Sequence, residues 1–302
     1  LLAVLVGLVA CGSGAPKRHP VFFGLNVPNP SEVGRAAQLL NATPAVVSLF
    51  GKLDTKSLTQ ALNAAAPPGV TPLLTLEPWL TGMKRFPGSQ PAYRLSALIS
   101  GRHDAELTAI AQQIKAYGRA VYLRFAHEMN GGWYPWAESA NGNQPGQYKA
   151  AWRHVHDLFA PITGTQVHWI WSPNTVNSLP SSAPSLAELF PGDAYVDYVG
   201  FTAYEHHSSR PEDTFDRTLG ELKALSDKPV LLAETGVTGP GKQEWLRRLG
   251  RYVESKPQIV GFVYFDTSAS STGATGNYNI DAPADAGALA ESLKTIGAKP
   301  YP

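Results

Sequence analysis

The stretch "AELTAIAQQIKAYGRAVYLRFAHEMNGGWYPW", residues 105–136, changes its periodicity halfway along. In its first half Leu107, Ile110, Ile114 and Tyr117 recur at helical spacing and fall on one face. In the run "AVYLRFAHE" (120–128) that follows, apolar residues are nearly continuous. Such a strand has no polar face to turn to water, so both its sides must be covered, as in a parallel sheet flanked by helices. A strand serving only the core would finish in turn residues. This one runs into His127-Glu128 and then into Trp133, Tyr134 and Trp136.

The same unit recurs along the chain. Strand-like runs are "PVFFGLNV" (20–27), "AVVSLFG" (45–51), "TPLLTLEP" (71–78), "VHWIWSPN" (167–174), "VDYVGFTAY" (196–204), "PVLLAETG" (229–236) and "IVGFVYFD" (259–266). With 120–128 they number eight, and each is followed by a segment of helical spacing. Eight such units in roughly 280 residues point to a single (β/α)8 barrel of the TIM type. An open doubly wound sheet would show a Gly-rich phosphate loop after its first strand, and "GLNVPNPSE" has none. No linker interrupts the rhythm, so residues 20–302 read as one domain.

Composition narrows the function. The chain has 302 residues, 43% hydrophobic and 16% charged, which is enough for a large core. Net charge is +1 and no segment concentrates Lys or Arg, which argues against a nucleic-acid partner. The opening "LLAVLVGLVACGSGAPKRHP" is too short and too interrupted for a spanning helix. Residues 1–19 read instead as the remainder of a signal peptide and a short tether. "LVAC" resembles a bacterial lipobox, with Cys11 as the lipidated residue; the alternative is a plain secretory segment with an incidental Cys. The expectation is an extracytoplasmic protein, secreted or held at the membrane only through a lipid on Cys11. Cys11 is the single cysteine, so no intramolecular disulfide can form.

In barrels of this type the chemistry lies at the C-terminal ends of the strands. The polar residues there are Asn26, Lys52, Glu77, His127, Glu128, Asn174, Tyr204, Glu234 and Asp266. Glu128 ends the fourth run and Glu234 the seventh, so they face each other across the barrel mouth. Two facing carboxylates suit hydrolysis of a glycosidic bond. One protonates the leaving oxygen while the other attacks the anomeric carbon, at a separation of about 5–5.5 Å for retention or about 6.5–9.5 Å for inversion. Either Glu alone would pass for half of a structural salt bridge. Sugar rings also expose flat C–H faces that pack on aromatics, and Trp79, Trp133, Tyr134, Trp136 and Trp171 all stand at this rim. Metal catalysis fits poorly, because "HEMNG" lacks the second His of a zinc helix and His154 and His156 cannot share a helix face. A Schiff-base lysine would have to be Lys52, in "GKLD", which reads as a turn.

The motif "HEMNGGWYPW", together with "VDYVGFTAY" and "LLAETG" at their strand ends, resembles glycoside hydrolase family 26. That family contains retaining β-mannanases with some mixed-linkage glucanases and β-1,3-xylanases. The resemblance spans roughly residues 20–298. It implies that Glu128 is the acid/base and Glu234 the nucleophile, that His127 contacts the sugar at the cleavage point and that Tyr204 hydrogen-bonds the nucleophile. It places Trp133 beside the scissile bond. Trp133, Trp136, Trp79, Trp171, Asn174 and Arg124 form the expected substrate-binding set. Arg124, of the same strand parity as Glu128, is expected deeper in the barrel, pairing with a carboxylate and holding Glu234 charged; a purely structural Arg is the alternative. Glu128 must stay protonated near neutral pH, which burial among aromatics favours. Two departures from the family pattern, Thr202 and Tyr264, fall where substrate is expected to be read and so bear on which glycan is cut.

The reading is thus a retaining endo-acting glycoside hydrolase, acting as a monomer without cofactor or metal. β-1,4-Mannan is the first expectation for substrate, with mixed-linkage β-glucan or a cell-envelope glycan as alternatives. A surface lipoprotein that binds polysaccharide without cleaving it is the alternative of another class.

Overall fold

The computed structural model describes residues 21–80, 82, 90–268 and 276–300. The expected tether and Cys11 lie outside the described residues. Eight strands form the framework: β1 (Phe22–Asn26), β2 (Val46–Lys52), β3 (Thr71–Glu77), β4 (Val121–Phe125), β5 (Val167–Trp171), β6 (Tyr198–Glu205), β7 (Val230–Val237) and β8 (Ile259–Phe265). All neighbouring pairs are parallel, and β1 pairs with both β2 and β8, which closes the barrel in sequence order. The helices are α1 (Val33–Leu40), α2 (Leu58–Ala65), α3 (Leu95–Ile99), α4 (Asp104–Tyr117), α5 (Gln147–Thr163), α6 (Leu186–Leu189), α7 (Pro211–Leu225), α8 (Lys242–Ser255) and α9 (Pro283–Thr295). The short α3 has no counterpart among the expected elements.

Strand parity divides the core in two. Outward-facing residues such as Leu74, Leu123, Phe125, Trp169 and Leu232 pack against the buried stripes of the helices. In α4 that stripe is Leu107, Ile110, Ala111, Ile114 and Tyr117, the spacing that marked the helix in the sequence. Inward-facing Val46, Leu73, Ile170, Leu231, Ala233 and Val263 fill the barrel with a second, separate apolar cluster. Two residues further along the same strands the interior turns polar: Ser48, Thr75 and Arg124 are all buried, and Thr202 on β6 joins them. This polar layer is the floor of the candidate site. Among the described residues no helix is long and apolar enough to cross a membrane.

Candidate active site

Arg124 is the centre of the floor. It is fully buried, and its guanidinium has three partners. Nε donates to Thr75 Oγ1 at 2.9 Å, Nη1 to Thr202 Oγ1 at 3.3 Å and Nη2 to Glu234 Oε2. Burying a guanidinium is tolerable only with a paired charge and satisfied donors, and these three strands supply both. The position corrects one expectation. Arg124 does not line the cavity, so it holds Glu234 from beneath instead of binding substrate. Thr202 is equally sealed and belongs to the same floor, which removes it from the residues that read the glycan.

Glu234 reaches this layer through an irregularity. Leu231 and Ala233 both face the barrel interior, so strict alternation would turn the next residue outward. The β6–β7 register slips between Phe201 and Thr202, where Phe201 pairs with Leu232 but Thr202 pairs with Glu234. The extra residue re-aims the side chain, the usual effect of a bulge near a functional site. Tyr204 then donates its hydroxyl to Glu234 Oε1. Burial, with the Glu234 charge next to it, pushes the Tyr204 phenol well above its ordinary pKa, so it stays a neutral donor.

Glu128 is presented by strained backbone rather than by the strand itself. β4 ends at Phe125, three residues earlier than the apolar run suggested. Ala126 and Glu128 then take left-handed backbone, with φ of 43° and 54°, a conformation that costs free energy for residues with a Cβ. Several bonds fix it. Ala126 N donates to Leu76 O at 3.0 Å, and Glu128 N to Ser172 O at 2.9 Å. Tyr148 donates its hydroxyl to Ala126 O at 3.1 Å, and Trp136 Nε1 donates to His127 O at 2.7 Å. Trp133 folds back over Gly131 and donates Nε1 to Glu128 Oε2 at 2.8 Å.

Both carboxylates open into one cavity of about 890 Å³, which His127, Asn174, Tyr204, Trp79 and Trp133 also line. The remaining expected aromatics lie elsewhere. Trp136 is fully buried, stacked on Tyr134 at 4.3 Å, and acts by holding the His127 carbonyl. Trp171 has the outward parity of β5 and packs on Phe190 at 5.1 Å among the helices. Neither lines the cavity, so neither serves as a sugar platform. Tyr264 is also buried, with its hydroxyl on Tyr278 O at 2.8 Å, and its neighbour Phe265 takes the lining position.

Sequence reasoning missed three residues at or beside the cavity and misjudged a fourth, Lys52. Lys52 is the last residue of β2, not part of a turn, and its ammonium faces the site beside Glu77. Phe50, two residues earlier on the same parity, lines the cavity with 41% of its surface exposed. Asn130, inside "HEMNG", clamps the loop after β5: its Nδ2 donates to Asn174 O and its Oδ1 accepts from Asn174 N, both at 2.8 Å. Tyr278 comes from the loop before α9 and packs on Tyr204 at 4.6 Å. Strand parity carried the signal for Phe50 and Lys52. Nothing local to Tyr278 did. Among the described residues no group of three or more His, Cys, Asp or Glu side chains is placed to hold a metal ion.

Residues 96–237 match the model of Glycosyl hydrolase family 26. Among curated relatives, Endoglucanase H of Acetivibrio thermocellus is 30% identical over 206 residues, covering 64% of this chain and 21% of that protein. A mannan endo-1,4-beta-mannosidase of Bacillus subtilis is 27% identical over 192 residues, covering 61% and 48%. The chain therefore spans less than half the length of these two relatives. Among solved structures, a GH26 beta-mannanase from Bacteroides ovatus superposes with a TM-score of 0.70 at 17% identity, covering 93% of this chain and 90% of that one. That likeness establishes the shared barrel.

Proposed function

We propose that the chain is a retaining, endo-acting glycoside hydrolase of the family 26 type that cuts a neutral β-linked polysaccharide, a reading supported by the match of residues 96–237 to that family's model. The observation that carries the reading is the unlike environment of two carboxylates in one cavity. Glu234 meets a buried guanidinium at one oxygen and a neutral phenol donor at the other, so both its oxygens accept hydrogen bonds. Glu128 meets an indole N–H at Oε2 and lines the same cavity. In the first step Glu128 protonates the glycosidic oxygen as Glu234 attacks the anomeric carbon, and the leaving chain departs as an alcohol. In the second, Glu128, now ionised, takes a proton from water, which displaces Glu234 from the sugar.

β-1,4-Mannan is the first substrate, supported by the mannosidase relative. A β-glucan is the second reading, favoured by the 30% identity to an endoglucanase. The protein acts outside the cytoplasm, secreted or tethered through a lipid on Cys11, a reading that rests on the opening segment and its "LVAC" motif alone.

The test is reducing-end release from galactomannan, glucomannan, mixed-linkage β-glucan and β-1,3-xylan, with Glu234→Ala run beside the parent. Release from one polymer, abolished by the substitution and giving first the product of unchanged anomeric configuration by NMR, supports the reading. Inversion, or no release from any polymer, overturns it.

A further inference from the structure

Lys242 stands where helix energetics disfavours it. It is the first residue of α8, at the end of the helix dipole that repels a cation, and it is buried, with 7% of its surface exposed. Asp285, in the first turn of α9 and equally buried, compensates it. Lys242 Nζ lies 2.9 Å from Asp285 Oδ2, while Gln243 Nε2 donates to Oδ1 at 2.6 Å. Replacing such a pair by apolar residues often leaves folding unchanged or improves it, so a buried ion pair calls for a reason other than stability. Neither residue lines the catalytic cavity. The reason lies in a third partner, Asn279 O, to which Lys242 Nζ donates at 2.6 Å.

Asn279 belongs to the segment 276–282, which leads into α9. The backbone of that segment is held at three successive residues. Tyr278 N donates to Thr267 O at 2.9 Å, and Tyr278 O accepts from the Tyr264 hydroxyl at 2.8 Å. Asn279 O takes the Lys242 ammonium, and Ile280 N donates to Asp266 Oδ1 at 2.9 Å. Three of these four bonds run to β8 and the residues just after it; the fourth reaches in from α8. The side chain so placed is Tyr278, whose ring lies 4.6 Å from that of Tyr204, with Phe265 supporting Tyr204 at 5.5 Å. Gly236, the register partner of Tyr204, leaves room for both rings: a Cβ there would stand 3.0 Å from Tyr278 Cδ1 and 3.3 Å from Tyr204 Cδ1. Tyr204 in turn donates to Glu234 Oε1.

We propose that Lys242, paired with Asp285, is a positioning residue: it fixes the segment that carries Tyr278, so that the Tyr204 ring is held and its hydroxyl stays on Glu234. Lys242 touches no substrate and acts through the two tyrosines in turn. A phenol ring held between Phe265 and Tyr278 can rotate little. One that loses its Tyr278 wall can swing its hydroxyl off the carboxylate. Attack on the anomeric carbon depends on the alignment of Glu234, and misplacing a reacting group by about 1 Å is enough to cost much of a rate. The proposal rests on the glycosidase reading, in which Glu234 is the nucleophile.

The experiment uses the full chain with Lys242→Met and Asp285→Leu together, which removes both charges of the pair and leaves neither unpaired. Chemical denaturation first establishes that the fold is kept, and the polymer that the parent cuts is the substrate. kcat is expected to fall about fivefold with KM within about twofold, the pattern of an interaction that matters in the transition state. In a Tyr204→Phe background the same two substitutions should cost nothing further, because the hydroxyl they position is already gone. Unchanged kcat in the folded variant overturns the proposal. An equal loss in both backgrounds overturns it too, since it would assign the pair to general packing. If the paired substitution does not fold, Lys242→Gln, which keeps a donor on a shorter arm, enters the same cycle under the same criteria. A parent that cuts no polymer defeats the glycosidase reading, and the contact is then read directly by NMR of tyrosine labelled at Cζ. The Tyr204 line, identified by its absence from Tyr204→Phe, reports the hydroxyl's hydrogen bond. Displacement of that line in the variant supports the positioning role, and an unmoved line refutes it.

Discussion

Arg124 lies beneath Glu234 and is its buried counter-ion: the guanidinium, with no exposed surface, donates to the carboxylate from the barrel interior while Tyr204 donates to the other oxygen. The two residues come from strands β4 and β7, 110 positions apart in sequence. The pair therefore joins opposite sides of the barrel as well as fixing a charge at the reacting centre. A group that does both should show it in two different measurements.

Replacing Arg124 with Met removes the positive charge and leaves Glu234 without its guanidinium partner. Breaking one side of a buried pair costs about 3–5 kcal/mol. Chemical denaturation should show a loss of that size, together with loss of polymer hydrolysis at pH 7. Arg124→Lys should recover part of the stability, since an ammonium can face Glu234. It cannot also serve Thr75 and Thr202 from one fixed plane, so activity should recover less. Equal stability of parent and Arg124→Met would mean that the pair is held without net effect on folding.

Tyr204→Phe separates the hydroxyl from the ring. The ring packs between Phe265 and Tyr278 at 5.5 and 4.6 Å, so the Phe variant should keep its fold. Loss of a hydrogen bond to a charged group, about 1.5–3 kcal/mol, corresponds to a fall in kcat of roughly ten- to a hundredfold. Since burial raises the phenol's pKa well above 10.0, its deprotonation should not set the alkaline limb of the parent's rate profile. The profiles of parent and variant should therefore fall together at high pH. An alkaline limb present only in the parent would contradict the assignment.

Gly131 is required by Trp133. A Cβ at Gly131 would lie 2.2 Å from Trp133 Cη2, well inside contact distance and against the body of the ring. Gly131→Ala should swing the indole away and take its N–H off Glu128. The expected result is a kcat reduced about tenfold or more, close to that of Trp133→Phe, which lacks the N–H directly. If Gly131→Ala kept full activity while Trp133→Phe did not, the indole would have a second route to the carboxyl.

The barrel was legible because its signal is periodic: eight apolar runs, each followed by a segment with a helical stripe, leave few alternatives. The two carboxylates were legible because each follows such a run. The aromatics were less so. Trp133, Trp136 and Trp171 look alike in the sequence, yet one covers Glu128, one pins a carbonyl and one packs outside the barrel. Parity separates Trp171 from the cavity, since period-two alternation turns it outward. It does not separate Trp133 from Trp136, which lie in irregular chain beyond β4. Glu234 faces the site only because of the slip in the β6–β7 register, which simple alternation does not foresee. Phe50 and Lys52 had the right parity but belonged to no motif.

Asp266 offers a test that leaves the catalytic groups untouched. It follows β8, is 3% exposed, and uses Oδ1 to accept from Ile280 N at 2.9 Å. Burial raises its pKa above the ordinary 3.8, outweighing the lowering by the Ile280 N–H and by Arg35. As pH rises, the unfolded chain therefore releases this proton before the folded one does. The stability that the neutral form contributes is complete below about pH 3.8 and is lost as pH climbs through the folded-state pKa. Asp266→Asn keeps an oxygen for Ile280 and cannot ionise. Thermal melts from about pH 3 to pH 7 should show the variant gaining on the parent through the mildly acidic range, with the difference levelling off toward neutrality. Parallel melting curves across that range would mean that Asp266 ionises in the folded protein as readily as in the unfolded chain.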